Sequence, residues 1–246
     1  MVTKARWGWL PVTFMAAMFA VSGLQTTFGR DASAQDATPA AKVGILDARD
    51  GLPECVAAEP GAVPEGVDAA SVYAINSAES AARYQVTEEL AGVGANEVIG
   101  ETNAIIGNIL FDGDGAPLPC SQFDVDLRTL ETDEARRDNY LRGNTLETDT
   151  YPLATFVLRH VEGVDGPLPE GEEVAIILIG DLTFHGETRL AAWEAMVTKE
   201  AVNLTGSAST TFTFPDFSIE KPIVGPVVGI GDEVTLEIDL VAAPAG

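Results

Sequence analysis

His160 and His185 are the only imidazoles in this 246-residue chain. Imidazole is the side chain most often recruited for proton transfer near neutral pH, and it is also a common metal ligand. Neither histidine has a Cys, a Ser or the other His close to it in sequence. His185 falls at the tip of an expected hairpin, where a structural role is the simpler reading, and His160 falls at the end of a strand. There is no nucleophile elbow, no Gly-rich phosphate loop and no His-rich metal spacing. Asp112-Gly113-Asp114-Gly115 opens like a calcium loop, but the downstream Glu of such a loop is missing. The carboxylates lie mostly on polar strand faces or in turns, and acid–base work would need two of them to meet in space. The expectation is therefore no catalytic residue, no metal site and no enzyme.

The two cysteines, Cys55 and Cys120, carry a different chemistry. An even pair in an exported chain is expected to form a disulfide. Export is read from the N-terminus. Lys4 and Arg6 precede an apolar run from Trp7 to Leu24, and Ala32-Ser33-Ala34 follows. That order describes a secretory signal peptide cleaved after Ala34. An uncleaved membrane anchor is the rival, set back by Pro11 within a marginal span. The chain holds 14 basic and 38 acidic residues, for a net charge of -24. Losing residues 1–34 removes Lys4, Arg6, Arg30 and Asp31, leaving 11 basic and 37 acidic residues, or -26. Such a surface suits solubility outside the cell and excludes nucleic acid as a partner.

The elements that must carry these groups are strands. Residues 35–70, rich in Ala, Pro, Gly and acids, read as a linker or extended arm. Val72–Ile75 is a short strand, and in Ser80–Leu90 the residues Ala82, Tyr84 and Val86 share one face. Glu97–Leu110 is expected to break at Gly100 or Gly107, each a bulge or a close approach. Gln122–Leu130 alternates strictly, with Phe123, Val125 and Leu127 on one face. Thr129–Thr150 is charged and reads as a short helix or two turns across one end of the sheet. Leu153–Val161 resumes as a strand. Val174–Val197 is a long hairpin turning at His185–Thr188. Val202–Phe214 is another strand, Pro215–Gly231 a connection, and Val234–Leu240 the closing strand. About eight antiparallel strands with one helical insert indicate an all-β barrel or sandwich.

The order of several short motifs carries a resemblance. Tyr73, Ile75 and Ser77 come first, then Arg137-Asp138 with Leu141-Arg142, then Thr148-Asp149 with Tyr151-Pro152. Gly180 through Thr188, Asp216-Phe217 and Asp232-Glu233-Val234 complete it. Together, over residues 71–242, they resemble the YceI-like family of exported bacterial proteins. The resemblance implies an eight-stranded antiparallel lipocalin-like barrel with a short helical insert. It also implies a non-enzymatic protein that holds a polyisoprenoid or similar long-chain amphiphile in an apolar pore. The domain plan is then a signal peptide at 1–34, an arm at 35–70 and the barrel at 71–246.

On that plan the pore is lined by Tyr84, Phe123, Val125, Phe156 and Leu158 from the first half of the barrel. Leu182, Phe184, Trp193, Phe212, Leu236 and Ile238 line it from the second half. The competing reading is a solid core, which would make the protein a structural or interaction module without a ligand. Arg136, Arg137 and Arg142 are the only local cluster of positive charge. They either pair with Glu131, Asp133, Glu134 and Asp138 on the same insert or bind a headgroup at the barrel mouth, since guanidinium geometry suits phosphate. Given the acidic surface, a neutral head such as a quinone is favoured over a diphosphate. No tightly held cofactor is expected beyond a bound isoprenoid lipid or quinone. A homodimer is the one self-association left open.

Overall fold

A computed structural model describes residues 43–222, 225 and 227–245. The basic and apolar leader and the cleavage site expected at Ala32–Ala34 lie outside the described residues, as do residues 35–42 of the expected arm. Among the described residues no helix is long and apolar enough to cross a membrane.

Period-2 alternation builds the sheet. Its staves run antiparallel, each beside the next, and close on themselves. β2 (Ser71–Ile75) and β3 (Ala81–Leu90) form one interrupted stave, and β4 (Gly94–Thr102) and β5 (Ile105–Phe111) form the interrupted return. β6 (Gln122–Asp126), β7 (Leu153–Glu162), β8 (Glu173–Phe184), β9 (Glu187–Lys199) and β10 (Leu204–Thr213) follow. β11 (Val227–Pro244) pairs with β10 on one side and with β2 and β3 on the other, placing Ala242 opposite Ile75 and Leu236 opposite Tyr84. The result is a closed eight-stranded antiparallel barrel, an architecture that leaves few sheet edges exposed.

Several boundaries differ from the sequence expectation, each for a local reason. The β4–β5 break falls at Asn103-Ala104 rather than at a glycine. Gly100 and Gly107 instead allow close approach: a Cβ at Gly100 would lie 2.2 Å from the Tyr84 ring, and one at Gly107 2.2 Å from the Gln122 carbonyl. β6 stops at Asp126 because the Asp126 carboxylate accepts the Arg128 backbone N–H at 3.0 Å and folds the chain into a 3₁₀ turn. The β8–β9 reversal is a two-residue turn, His185-Gly186, with φ of 51° and 77°. β11 begins at Val227, well before Val234, and absorbs register shifts after Val227 and Ile230.

Because β6 has only 5 residues against 12 in β8, the wall between β4 and β7 falls short at one end. The insert fills that gap. Its helix α1 (Ala135–Tyr140) is capped by the Glu134 carboxylate, which accepts the Arg136 N–H at 3.0 Å. Glu101 and Glu131 exchange backbone hydrogen bonds of 2.9 and 3.0 Å, tying the insert to β4.

Residues 43–70 form an arm laid against the barrel. β1 (Gly44–Ile45) pairs with β9 at Ala191 and Ala192. Gln122 accepts the Ala58 N–H at 2.8 Å and donates to the Ala58 carbonyl at 3.0 Å, while Asn108 donates to the Gly61 carbonyl at 2.8 Å. A Cys55–Cys120 disulfide locks the arm to the loop before β6.

Candidate functional site

The inward strand faces enclose a chamber of about 730 Å³ in the half of the barrel next to the insert. Tyr84 and Val86 reach it from β3, Phe123 and Val125 from β6, Phe156 from β7, and Leu182 and Phe184 from β8. Trp193, Phe212, Leu236 and Ile238 complete the wall from β9, β10 and β11. Leu130, Tyr140, Leu141 and Leu146 of the insert roof it. The lining reaches the surface at exposed Asp133, Glu134 and Arg136 of the insert, and again at exposed Gly225.

Ten of the eleven residues expected to line a pore face this one space. Leu158 does not. It lines a second, smaller cavity of about 100 Å³ deeper in the barrel. Leu158 keeps the inward face of Phe156 but lies one step further along β7, opposite Gly180, and so falls beyond the chamber. The bulge at Arg159 comes after it and turns Val161 rather than His160 inward. Tyr73, Phe111, Leu168, Leu204 and Ala242 close the barrel beyond that cavity.

Polar groups at the insert end of the chamber form one cluster. The Tyr84 hydroxyl is buried and has no hydrogen-bond partner among the described residues. Burial raises its pKa well above the ordinary tyrosine value, so it stays a neutral O–H donor. Glu88, 5% exposed, accepts from Asn96 at 3.0 Å and from Arg137 at 3.4 Å. Arg137 also donates to Asp133 at 2.6 Å and to Thr132 at 3.2 Å. Burial pulls the Arg137 pKa down, but Asp133, Glu88 and Tyr84 outweigh it and leave the guanidinium firmly charged. Buried Asp138 accepts from the Thr132 hydroxyl at 2.6 Å. Trp193, 2% exposed, carries a second unpartnered donor, its indole N–H.

The three arginines therefore separate. Arg137 lies on the chamber and is already paired with two carboxylates. Arg136 is exposed on the rim. Arg142 is not part of the lining and instead donates to the Leu130 carbonyl at 2.8 Å and to Asn139 at 2.9 Å. The ion-pairing reading holds for Arg137 with Asp133, while Arg136 stands on the rim where the headgroup reading put the cluster. Glu88 was missed, although its signal was present. It continues the series Ala82, Tyr84, Val86 at spacing two, so a carboxylate was due on an inward face.

His185 sits at the β8–β9 tip, its Nδ1 3.1 Å from the Phe217 carbonyl and its ring tilted against Tyr151 with centroids 4.9 Å apart. This contact joins the hairpin tip to the Phe214–Phe217 turn. His160 is exposed on β7. Among the described residues, no three His, Cys, Asp or Glu side chains gather as metal ligands would.

A closed antiparallel barrel with a hollow apolar interior and a short helical lid is a lipocalin-like architecture. More narrowly, the chain belongs to the YceI-like domain family, whose model matches residues 73–242. A UPF0312 protein of Shewanella sp. strain ANA-3 is 25% identical over 167 residues, which span 65% of this chain and 81% of that one. A UPF0312 protein of Shewanella oneidensis is 28% identical over 185 residues, 72% of this chain and 88% of the relative. Among solved structures, a polyisoprenoid binding domain from Saccharophagus degradans implicated in plant cell wall breakdown superposes with a TM-score of 0.56. It is 18% identical, and the match covers 70% of this chain and 98% of that domain. Burkholderia cenocepacia BcnA superposes with a TM-score of 0.53 at 20% identity, covering 69% of this chain and 99% of BcnA. At these identities the superpositions establish the fold.

Proposed function

We propose that this protein is an exported, non-enzymatic carrier that holds the tail of a long-chain amphiphilic lipid, of polyisoprenoid type, inside the barrel. The observation that carries the reading is the 730 Å³ chamber walled by aromatic and aliphatic side chains. A barrel serving only as a structural module would fill that space with its own residues, because protein interiors pack as densely as organic crystals. The volume lies within the range of sites that bury small molecules, roughly 300–1,000 Å³. Burying a methylene contributes about 0.8 kcal/mol, so each isoprene unit contributes roughly 3–4 kcal/mol before ordering costs. The tail therefore supplies the affinity.

The polar cluster bears on the head. Arg137 is neutralised by Glu88 and Asp133, and exposed Glu134 adds further negative charge at the mouth. Exposed Arg136 stands on the same rim, so Arg136 and Arg137 face Glu88, Asp133 and Glu134, and a phosphorylated head entering here would meet more negative than positive charge. A neutral head bearing a carbonyl or ether oxygen, such as a quinone, would instead accept the unpartnered Tyr84 O–H.

Native mass spectrometry of protein purified from an exporting host tests the carrier reading, with an adduct of lipid mass expected. A ligand-free spectrum, together with no uptake of added prenyl lipid, would overturn it. Organic extraction separates the heads: recovery of phosphorylated lipids alone would refute the neutral-head proposal.

A further inference from the structure

The chamber does not run the length of the barrel. Phe123, Phe156 and Ile238 line both the large chamber and the 100 Å³ cavity, so these three side chains form the partition between them. Phe123 packs against Phe156 with ring centroids 5.2 Å apart, and it meets Trp193 edge-on at 6.3 Å. Phe156 and Trp193 meet at 5.7 Å, so each of the three rings buttresses the other two. Phe156 is 1% exposed and Ile238 6%. Phe123 is only half-buried, although it sits on the inward face. Its free surface is therefore turned toward the two cavities it separates.

We propose that Phe123 is the chain-length stop of this barrel: it sets the longest lipid tail the chamber accepts, and a longer tail would have to displace a buttressed aromatic ring. The proposal rests on the carrier reading above and adds a length limit to it. A packed methylene takes close to a water's share of liquid volume, roughly 30 Å³, so the large chamber holds roughly two dozen carbons, or four to five isoprene units. The space beyond the partition would add about three more carbons if the ring were absent. Deleting the ring itself frees a further half-dozen carbon positions. Opening the partition should therefore lengthen the accepted tail by one to two isoprene units.

The test measures dissociation constants for a series of prenyl alcohols from two to nine isoprene units, using the full exported chain. Wild-type affinity should climb with each added unit until four or five, then fall by about tenfold or more, since an apolar pocket discriminates by roughly that factor per misfit group. Phe123→Ala should move the optimum up by at least one unit. Phe123→Leu, a milder opening that preserves folding if the alanine variant does not, should shift it in the same direction. Ala154→Leu fills the chamber from β7 above the partition and should move the optimum down. Affinity that climbs without a break through nine units, or an optimum that neither Phe123 variant moves, would overturn the stop while leaving the carrier reading intact. Failure of every alcohol to bind would remove both.

Discussion

A buried hydroxyl left without a partner costs a protein about 1–3 kcal/mol. Tyr84 carries such a group into the chamber, and Gly100 opposite leaves the room its ring occupies. The same O–H is the donor a neutral head would use, so stability and binding should respond to it in opposite directions. Tyr84→Phe is expected to leave the unliganded protein as stable as wild type, or about 1 kcal/mol more stable, in denaturant melts. Affinity for a quinone-headed lipid should fall about fivefold to tenfold, the value of one neutral hydrogen bond. The pH dependence has a definite sign. The folded pKa of Tyr84 is raised by burial, so this group leaves stability independent of pH below the ordinary tyrosine pKa of about 10 and lowers it as pH rises beyond that value. The alkaline fall in stability should therefore be shallower in Tyr84→Phe than in wild type. Equal slopes would show that the phenol is not buried as described.

At the scale of elements, strand faces were legible wherever alternation ran unbroken. Ala82, Tyr84 and Val86 announced the inward face of β3, and Phe123 and Val125 that of β6. Legibility failed where glycine or a side-chain-to-backbone bond intervened. Gly229 and Gly231 hide the first part of β11, because a residue without a side chain reports no face. There it is pairing with β3 that makes the chain a strand. Asp126 ends β6 by capturing the Arg128 N–H, a local competition that a hydrophobic pattern does not record. The arm is the element most dependent on a covalent tie. Its backbone reaches the barrel through Ile45, the Gln122–Ala58 pair and the Asn108–Gly61 bond, and the disulfide adds a covalent link. Closing a loop with a sequence separation of 65 is worth about 4 kcal/mol in the chain-entropy model. A Cys55→Ser, Cys120→Ser double variant should lose stability of that order in denaturant melts and expose the arm to faster proteolysis. An unchanged midpoint would mean that the non-covalent contacts of the arm hold it without the bond.

At the scale of the whole molecule, a net charge of -24 repels itself in the compact state. The exposed ion pairs, such as Arg49–Glu162 and Arg189–Glu187, offset little of this, since pairs at the surface are worth about 0–1 kcal/mol. The melting temperature should therefore rise as salt increases from about 10 mM to 150 mM, where the Debye length shrinks from roughly 30 to 8 Å. A fall over that range would place the balance with the ion pairs instead. The residues by themselves determined a β meander, its inward apolar faces, a helical insert and an expected cysteine pair, because alternation and charge are local signals written one residue at a time. Only the tertiary structure decided that those faces enclose a chamber rather than a filled core. It alone also decided that Phe123 and Phe156 divide the interior and that Glu88 meets Arg137 across the mouth. Those outcomes depend on how side chains from distant strands fill a common volume, and no stretch of sequence contains that volume.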